Sequence, residues 1–397
     1  LNISFQAPQV ISYKCKVCGD CCANNYEKPL SENEKEKLQE LYPACSFFEP
    51  GNSAAYKLGL QSNGCYFLEV DGSCRIHNEH GMENKPLHCR RFPYSFQRLD
   101  DKVYIGYSFA CRHLQPFPGE PDNMPWEKLY ELYQEKERIL PSSINIFSGK
   151  KIPAELYLQM ENYFFIFLKT REFSLDFPTR LIGLHVFFSM LKQFIGIKEN
   201  KKRPFDENCA LFLSGLGQTN FQTVIDSAQK LRNSEKKRYR RYWWFICDYL
   251  HSIAHYRTLS KSRRLFAVYR QLFRSASQFK QYQNIPIQPD WDHPLFRSYF
   301  IHLWERKSFL QPSVDVATMV KYSLILTGVI ALRYKHLFEN NKDVSPDEAL
   351  RSSLKFIELH YGYHVPEQHK IIQNKRLKKY LALLDKSPLS VSSLFHL

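Results

Sequence analysis

No apolar run in this 397-residue chain reaches the roughly 18 to 20 residues of a membrane-spanning helix. The nearest, Ser323 to Leu332, is about half that length and ends at Arg333, so no membrane span is expected. The start, Leu1 to Ser12, lacks the basic-then-apolar order of a secretory signal. There is no internal repeat and no low-complexity tract. No Ser/His/Asp arrangement and no carboxylate pair stands out as a catalytic constellation. Acidic side chains are the minority, 40 against 55 basic, for a net charge of +15. Cysteine almost vanishes beyond residue 111: only Cys209 and Cys247 remain, both in apolar surroundings and expected in the core.

The other nine of the eleven cysteines lie before residue 112, and Cys15, Cys18, Cys21 and Cys22 fall within eight residues as C-x2-C-x2-C-C. Packing alone does not call for so many thiols at such spacing. A metal or metal cluster does, because thiolates are its soft ligands and must converge from a short stretch of backbone. An odd count with adjacent Cys21 and Cys22 is a poor disulfide framework, and the chain is long for a secreted disulfide scaffold. The usage points to a reducing compartment, and the expected location is cytoplasmic.

At 397 residues, 44% apolar and 15% aromatic, the chain fits two or three domains with real cores. Its charge is uneven. Residues 1–120 carry 13 basic and 14 acidic side chains, leaving 42 and 26 for the remainder. The second part therefore suits an acidic partner: an acidic protein surface, nucleic acid or anionic lipid. Its densest run, Lys236 to Arg241, leads into Tyr242-Trp243-Trp244. That segment suits phosphates and stacked bases, but a solvated helix start with an inward Trp face is the favoured reading.

Ser31 and Glu34 predict a capping box opening a helix that runs to about Leu41, before Pro43. Gly51 to Gly64 reads as loop. Asp71-Gly72 marks a turn between short extended pieces, so that Cys65 and Cys74 flank a hairpin-like knuckle. Val103 to Phe109 reads as a strand. Pro116, Pro118, Pro121 and Pro125 mark the expected domain boundary, giving a module over 1–118 and a mainly helical domain over 119–397. Helices are expected over Trp126–Leu140, Pro153–Leu168, Phe177–Ile195, Phe221–Leu231, Tyr239–His255, Arg263–Tyr282 and Val316–His336. A further start is set by Ser345, Pro346 and Glu348. Linkers are expected near 199–206 and 283–297.

Downstream of the first cluster stand Gly64-Cys65-Tyr66-Phe67-Leu68, Gly72-Ser73-Cys74-Arg75-Ile76-His77 and Lys85-Pro86-Leu87-His88-Cys89-Arg90-Arg91-Phe92-Pro93. With these, residues 11–113 resemble the YkgJ-type cysteine-cluster family, a zinc- or iron-chelating domain. Its pattern is C-x2-C-x2-C-C, C-x-F-L, G-x-C-x-I and R-P-x-x-C-R-x-F-P; Lys85 and Tyr66 depart from it. The resemblance implies a small irregular α+β module organised by metal, with Cys15, Cys18, Cys21, Cys22, Cys65, Cys74, Cys89 and Cys111 as the ligand set. Cys45 is the expected bystander. The layout of Ile76 to Glu83 is similar to that of the flagellin lysine N-methylases, which pair such a module with a large helical region. That implies an S-adenosylmethionine-dependent methyltransferase with an iron–sulfur cluster and flagellin as substrate. The rival is a non-enzymatic metal or redox module whose basic domain docks an acidic protein or nucleic acid. Residues 119–397 carry no comparable motif. The G-x-G of Phe212 to Asn220 lacks the third glycine of a nucleotide fingerprint, and a plain loop is expected there.

For the metal, C-x2-C-x2-C matches the first three ligands of a ferredoxin-type run, with the fourth from Cys89 or another downstream cysteine. Zinc would take two thiolate pairs, for example Cys15/Cys18 with Cys65/Cys74. An iron–sulfur cluster, of the four-iron type, is favoured. His77, His80, His88 and His113 lie beside the cysteines as further ligands or their supports. His251 and His255, four apart on an expected helix, are a weaker chelating pair.

Overall fold

A computed structural model describes residues 3–23, 28–44, 47–50, 56–61, 64–116, 126–132, 138–169, 175–216, 218–234, 237–255, 287–310, 314–341 and 343–361, with isolated positions between 263 and 270 and between 377 and 395. Cys45, Lys236 and most of the helix expected over Arg263–Tyr282 lie outside the described residues. The chain divides into two compact units, Leu1–Ile139 and Leu140–Leu397. The first is strand-rich and the second mostly helical.

In the first unit the order is β1 (Ser4–Gln6), β2 (Ile11–Tyr13), α1 (Asp20–Ala23), β3 (Pro29–Leu30), α2 (Glu32–Leu41), β4 (Phe48–Pro50), β5 (Tyr56–Leu58), β6 (Leu60–Gln61) and β7 (Gly64–Cys65). Then come α3 (Arg75–His80), α4 (Leu87–Arg91), β8 (Tyr94–Leu99), β9 (Lys102–Tyr107), β10 (Leu114–Pro116), α5 (Trp126–Glu131) and β11 (Arg138–Ile139). The largest sheet runs β1-β9-β8-β11, and its centre is the β8–β9 hairpin, turned at Asp100 with φ 55°. Aspartate tolerates that left-handed conformation better than most residues. The sequence showed β9 but not β8. Ser95 and Gln97 of β8 are buried with Tyr94 and Phe96, so its alternation does not separate core from solvent.

The segment expected as loop, Gly51 to Gly64, contains β5, β6 and the start of β7, each too short to show a period. β5 lies between β3 and β4. Leu30, Leu38, Phe47, Leu58, Cys65, Phe67 and Ile76 form the core around them. The capping box of α2 is as expected: Ser31 Oγ accepts from Glu34 N at 3.3 Å, and Glu34 Oε2 accepts from Ser31 N at 2.8 Å. The helix expected over Trp126–Leu140 is shorter. α5 stops at Glu131, and β11 joins β8 in parallel, which carries the first unit to Ile139, past the boundary expected at residue 118.

The second unit opens with a hairpin that sequence reasoning missed, β12 (Ser143–Phe147) and β13 (Lys150–Pro153), turned at Gly149 with φ 74°. Its described helices are α6 (Ala154–Lys169), α7 (Phe177–Gly196), α8 (Phe205–Ser214), α9 (Gln218–Asn233), α10 (Lys237–His255), α11 (Pro294–Glu305), α12 (Val316–Asn340) and α13 (Pro346–His360). Six of these match expected helices to within a few residues. α8 and α11 begin inside the stretches read as linkers. Asp176, Asp315 and Ser345 cap α7, α12 and α13 by accepting from Thr179 N, Thr318 N and Glu348 N, each satisfying a donor the helix start leaves open.

By length and composition α12 is apolar enough to cross a membrane, but Lys321 and Arg333 break its apolar run in the sequence. Here 17 of its 25 residues are buried, and it packs against α7, α10 and α13 as the central helix of the unit.

Ion pairs are buried at the end of α11. Arg306 donates to both carboxylate oxygens of Glu358 at 2.8 and 3.0 Å, and to Ser308 Oγ at 2.8 Å. Lys307 pairs with Glu161, which also accepts from Tyr157. Lys169 pairs with Glu305 at 2.9 Å. Together these pairs tie α6, α11 and α13.

Candidate metal centre

Two short ladders deliver cysteines to a common region. β2 pairs antiparallel with β10, Tyr13 opposite Leu114. Cys15 leaves one end of that ladder and Cys111 enters the same end, although 96 positions separate them. The second device is the knuckle. Leu68 and Cys74 form an antiparallel bridge, Glu69 N donates to Ser73 O at 3.0 Å, and Gly72 N donates to Glu69 O at 3.0 Å. This places Cys74 beside Cys65 as expected, but the chain then enters α3 at Arg75 rather than continuing extended.

The loop from Cys15 to Cys22 lies directly on this knuckle. Gly64 holds φ 126°, and a Cβ there would sit 2.6 Å from Cys22 O and from Ala23 Cα. Gly72 holds φ 87°, and a Cβ there would meet Cys18 C and O at 3.1 Å. Both conformations favour glycine, and side chains at either site would push the cysteine loop away. Between Cys15 and Cys18 the backbone turns through Val17 at φ 49°. Cys22 N then donates to Gly19 O at 2.8 Å, starting α1.

Cys89 comes from α4. Glu34, having closed its own capping box, also accepts from Leu87 N at 2.6 Å and so anchors the start of that helix. Arg91, from the Cys-Arg-Arg-Phe-Pro motif, is buried and donates to Leu132 O, a structural role.

The eight thiols form two electrostatic sets that overlap at Cys21. Cys111 feels Cys18, Cys21 and Cys15, and Tyr13, hydrogen-bonded to Cys15, feels Cys111 and Cys21. In the other set Cys22 feels Cys65 and Cys89, Cys65 feels Cys74 and also Cys21, and Cys89 feels Cys65 and Cys74. The sets join at Cys21 and Cys22, whose thiols share a hydrogen bond. That bond, donated by Cys22, holds Cys21 below its ordinary value and pushes Cys22 up. Burial, reinforced by neighbouring thiols, pushes Cys89 and Cys111 up to about 12. Lys28, which is buried, and Lys85 oppose this around Cys21 and Cys89. Arg112 reaches Asp20 at 3.4 Å beside Cys18. Cys15, Cys18 and Cys21 are exposed, whereas Cys89 and Cys111 resist ionisation through burial and crowding, which a cation would relieve, since metal binding displaces thiol protons.

The histidines are less central. His77 and His88 are exposed, His80 packs edge-on to Tyr42, and His113 is half-buried next to Cys111, whose sulfur its backbone supports. Cys209 and Cys247 are fully buried in the second unit, as expected. Trp243 and Trp244 are buried too, consistent with an inward Trp face. Gly215 follows helix α8, not a strand, so a nucleotide fingerprint does not form there. The side chain of His255 is outside the described residues. Its expected partner His251 instead meets Asp248 and His336, a grouping the sequence did not reveal.

No solved structure matches the chain significantly. An uncharacterized protein of Methanocaldococcus jannaschii, MJ0939, is 35% identical over 86 residues. The match spans 21% of this chain and 30% of that protein. Residues 14–112, which hold all eight thiols of the two sets, match the family model CxxCxxCC, described as "Putative zinc- or iron-chelating domain", and this part of the chain is a CxxCxxCC domain.

Proposed function

We propose that the CxxCxxCC domain holds two metal centres, Cys15, Cys18, Cys21 and Cys111 serving one and Cys22, Cys65, Cys74 and Cys89 the other. The placement of Cys15 and Cys111 at one end of the β2–β10 ladder, and of Cys74 beside Cys65 at the knuckle, carries the reading. Iron–sulfur is favoured over zinc. The C-x2-C-x2-C spacing, which matches the first three ligands of a ferredoxin-type run, supports it. An iron–sulfur centre supplies one-electron chemistry or Lewis acidity when bound; the protein's part is to converge, shield and charge-balance the thiolates.

By resemblance, the whole chain reads as an S-adenosylmethionine-dependent protein lysine methyltransferase of the cytoplasm. Its basic helical unit, with the run up to Arg241, would recruit an acidic face of flagellin. The charge asymmetry and the layout of Ile76 to Glu83 support this reading. The second reading is a non-enzymatic metal or redox module docking an acidic protein or nucleic acid; the helix preceding Gly215, where a nucleotide site would need a strand, favours it.

Anaerobic purification with iron, zinc and acid-labile sulfide analysis tests the centres. Brown protein with two four-iron clusters is expected; colourless protein with two zinc ions and no sulfide selects zinc, and metal-free folded protein overturns both. Calorimetry with S-adenosylmethionine separates enzyme from docking module. Partner binding should weaken with salt, because screening acts over about 8 Å at physiological ionic strength, and DNA should not compete.

A further inference from the structure

The helical unit brings together three ligand-bearing side chains far from each other in sequence. Asp248 and His251 are three apart on α10 and share a face; His336 comes from the last third of α12, against which α10 packs. One ligand atom from each lies within 4.8 Å of the other two. Asp248 is 1% exposed and His251 8%, whereas His336 is half-buried and marks the side nearer to solvent. The imidazoles of His251 and His336 stack nearly parallel, centroids 5.1 Å apart at 16°. Phe356 of α13 packs on His251 at 5.0 Å and on His360 at 4.6 Å, forming an apolar wall.

We propose that Asp248, His251 and His336 form a binding site for one divalent first-row transition-metal ion. This is separate in chemistry from the thiolate centres and independent of them. Two imidazoles and one carboxylate are an intermediate donor set suited to zinc, iron(II), manganese or cobalt. Three protein ligands leave the ion at least one open position, as in metal sites that bind water or substrate. The rigid packing of two long helices holds the ligands, so little reorganisation accompanies binding. The charges around it are mixed. Asp248 offsets the ion, while Arg333 stacks over Phe356 at 5.1 Å and Lys335 lies on the same turn as His336. A buried hydrogen-bonded triad without metal is the alternative the test must separate.

The probe is cobalt(II), titrated anaerobically into the full chain as purified, with its cysteine centres filled. Cobalt bound by thiolates shows strong sulfur-to-metal charge transfer; cobalt bound by two imidazoles and a carboxylate shows only weak d–d bands. One equivalent lacking charge transfer is expected, together with a cobalt-dependent rise in the melting temperature. Asp248→Asn and His336→Gln should each weaken that equivalent by more than about a hundredfold, beyond what the loss of a mere supporting contact gives. Cys89→Ser should leave it intact. The proposal is overturned if all bound cobalt in the unmodified chain carries thiolate charge transfer, or if folded variants keep the equivalent. The unmodified chain decides the first point even if a variant does not fold, and thiolate-metal content, measured in parallel, tests the cysteine centres separately.

Discussion

Cys21 and Cys22 are neighbours in the chain and in space, sharing a thiol hydrogen bond, and Cys21 acts on Cys111 of one thiol set and on Cys65 of the other. The turn that opens α1 brings Cys21 near Cys18, Cys111 and Cys65, and Cys22 near Cys65 and Cys89. Under the two-centre proposal this adjacent pair forms the seam between the centres.

This seam predicts separable losses. Cys111→Ser should remove about half of the bound metal and leave the set around Cys89 loaded, and Cys89→Ser should do the reverse. Metal per chain, measured by elemental analysis on each variant, checks it. Full depletion by either change would mean one shared centre.

Gly64→Ala should damage the domain more than any other single methyl addition in the first unit. The added Cβ would strike Cys22 O and Ala23 Cα, and φ 126° is a region other residues rarely adopt. The conformational strain alone is about 1–3 kcal/mol. A lowered melting temperature and reduced metal content are expected, read by calorimetry and metal analysis.

Glu34 links acid stability to the Cys89 helix. Burial pushes its carboxyl up, but hydrogen bonds from Leu87 N, Ser31 N and the Ser31 hydroxyl outweigh that, and it lies below its ordinary value. A group held lower in the folded state contributes stability that is complete above its unfolded value and is lost as pH falls through the folded one. The first unit should weaken as pH drops below the ordinary carboxylate range. Glu34→Gln should cost on the order of 1 kcal/mol near neutrality and flatten that acid dependence, as denaturant titrations at several pH values would show. An unchanged acid limb would assign it to other carboxylates.

Arg306 and Glu358 are at most 1% exposed and joined by two hydrogen bonds. Glu358→Ala should destabilise the helical unit by about 3–5 kcal/mol, because it leaves a buried guanidinium without its counter-charge. Replacing both with well-packed apolar residues should cost much less. Urea unfolding of the single and double variants measures the difference.

What the sequence determined by itself was local. The capping box at Ser31 and Glu34, the caps at Ser345 and the long helices α6, α7, α10 and α12 follow from nearest-neighbour hydrogen bonding and a 3.6-residue period. The dense early cysteines, likewise, announce metal chemistry without reference to a fold. Tertiary structure decided what depends on contacts between distant residues. Strands of two or three residues carry no period, so β5 to β7 were invisible until paired. The convergence of the eight cysteines depends on the β2–β10 ladder and the glycine-lined knuckle, which no spacing rule encodes. The meeting of Asp248 and His251 with His336 arises because α10 packs along α12, and a helical period reports which face of each helix is buried but not which residue of another helix it will face.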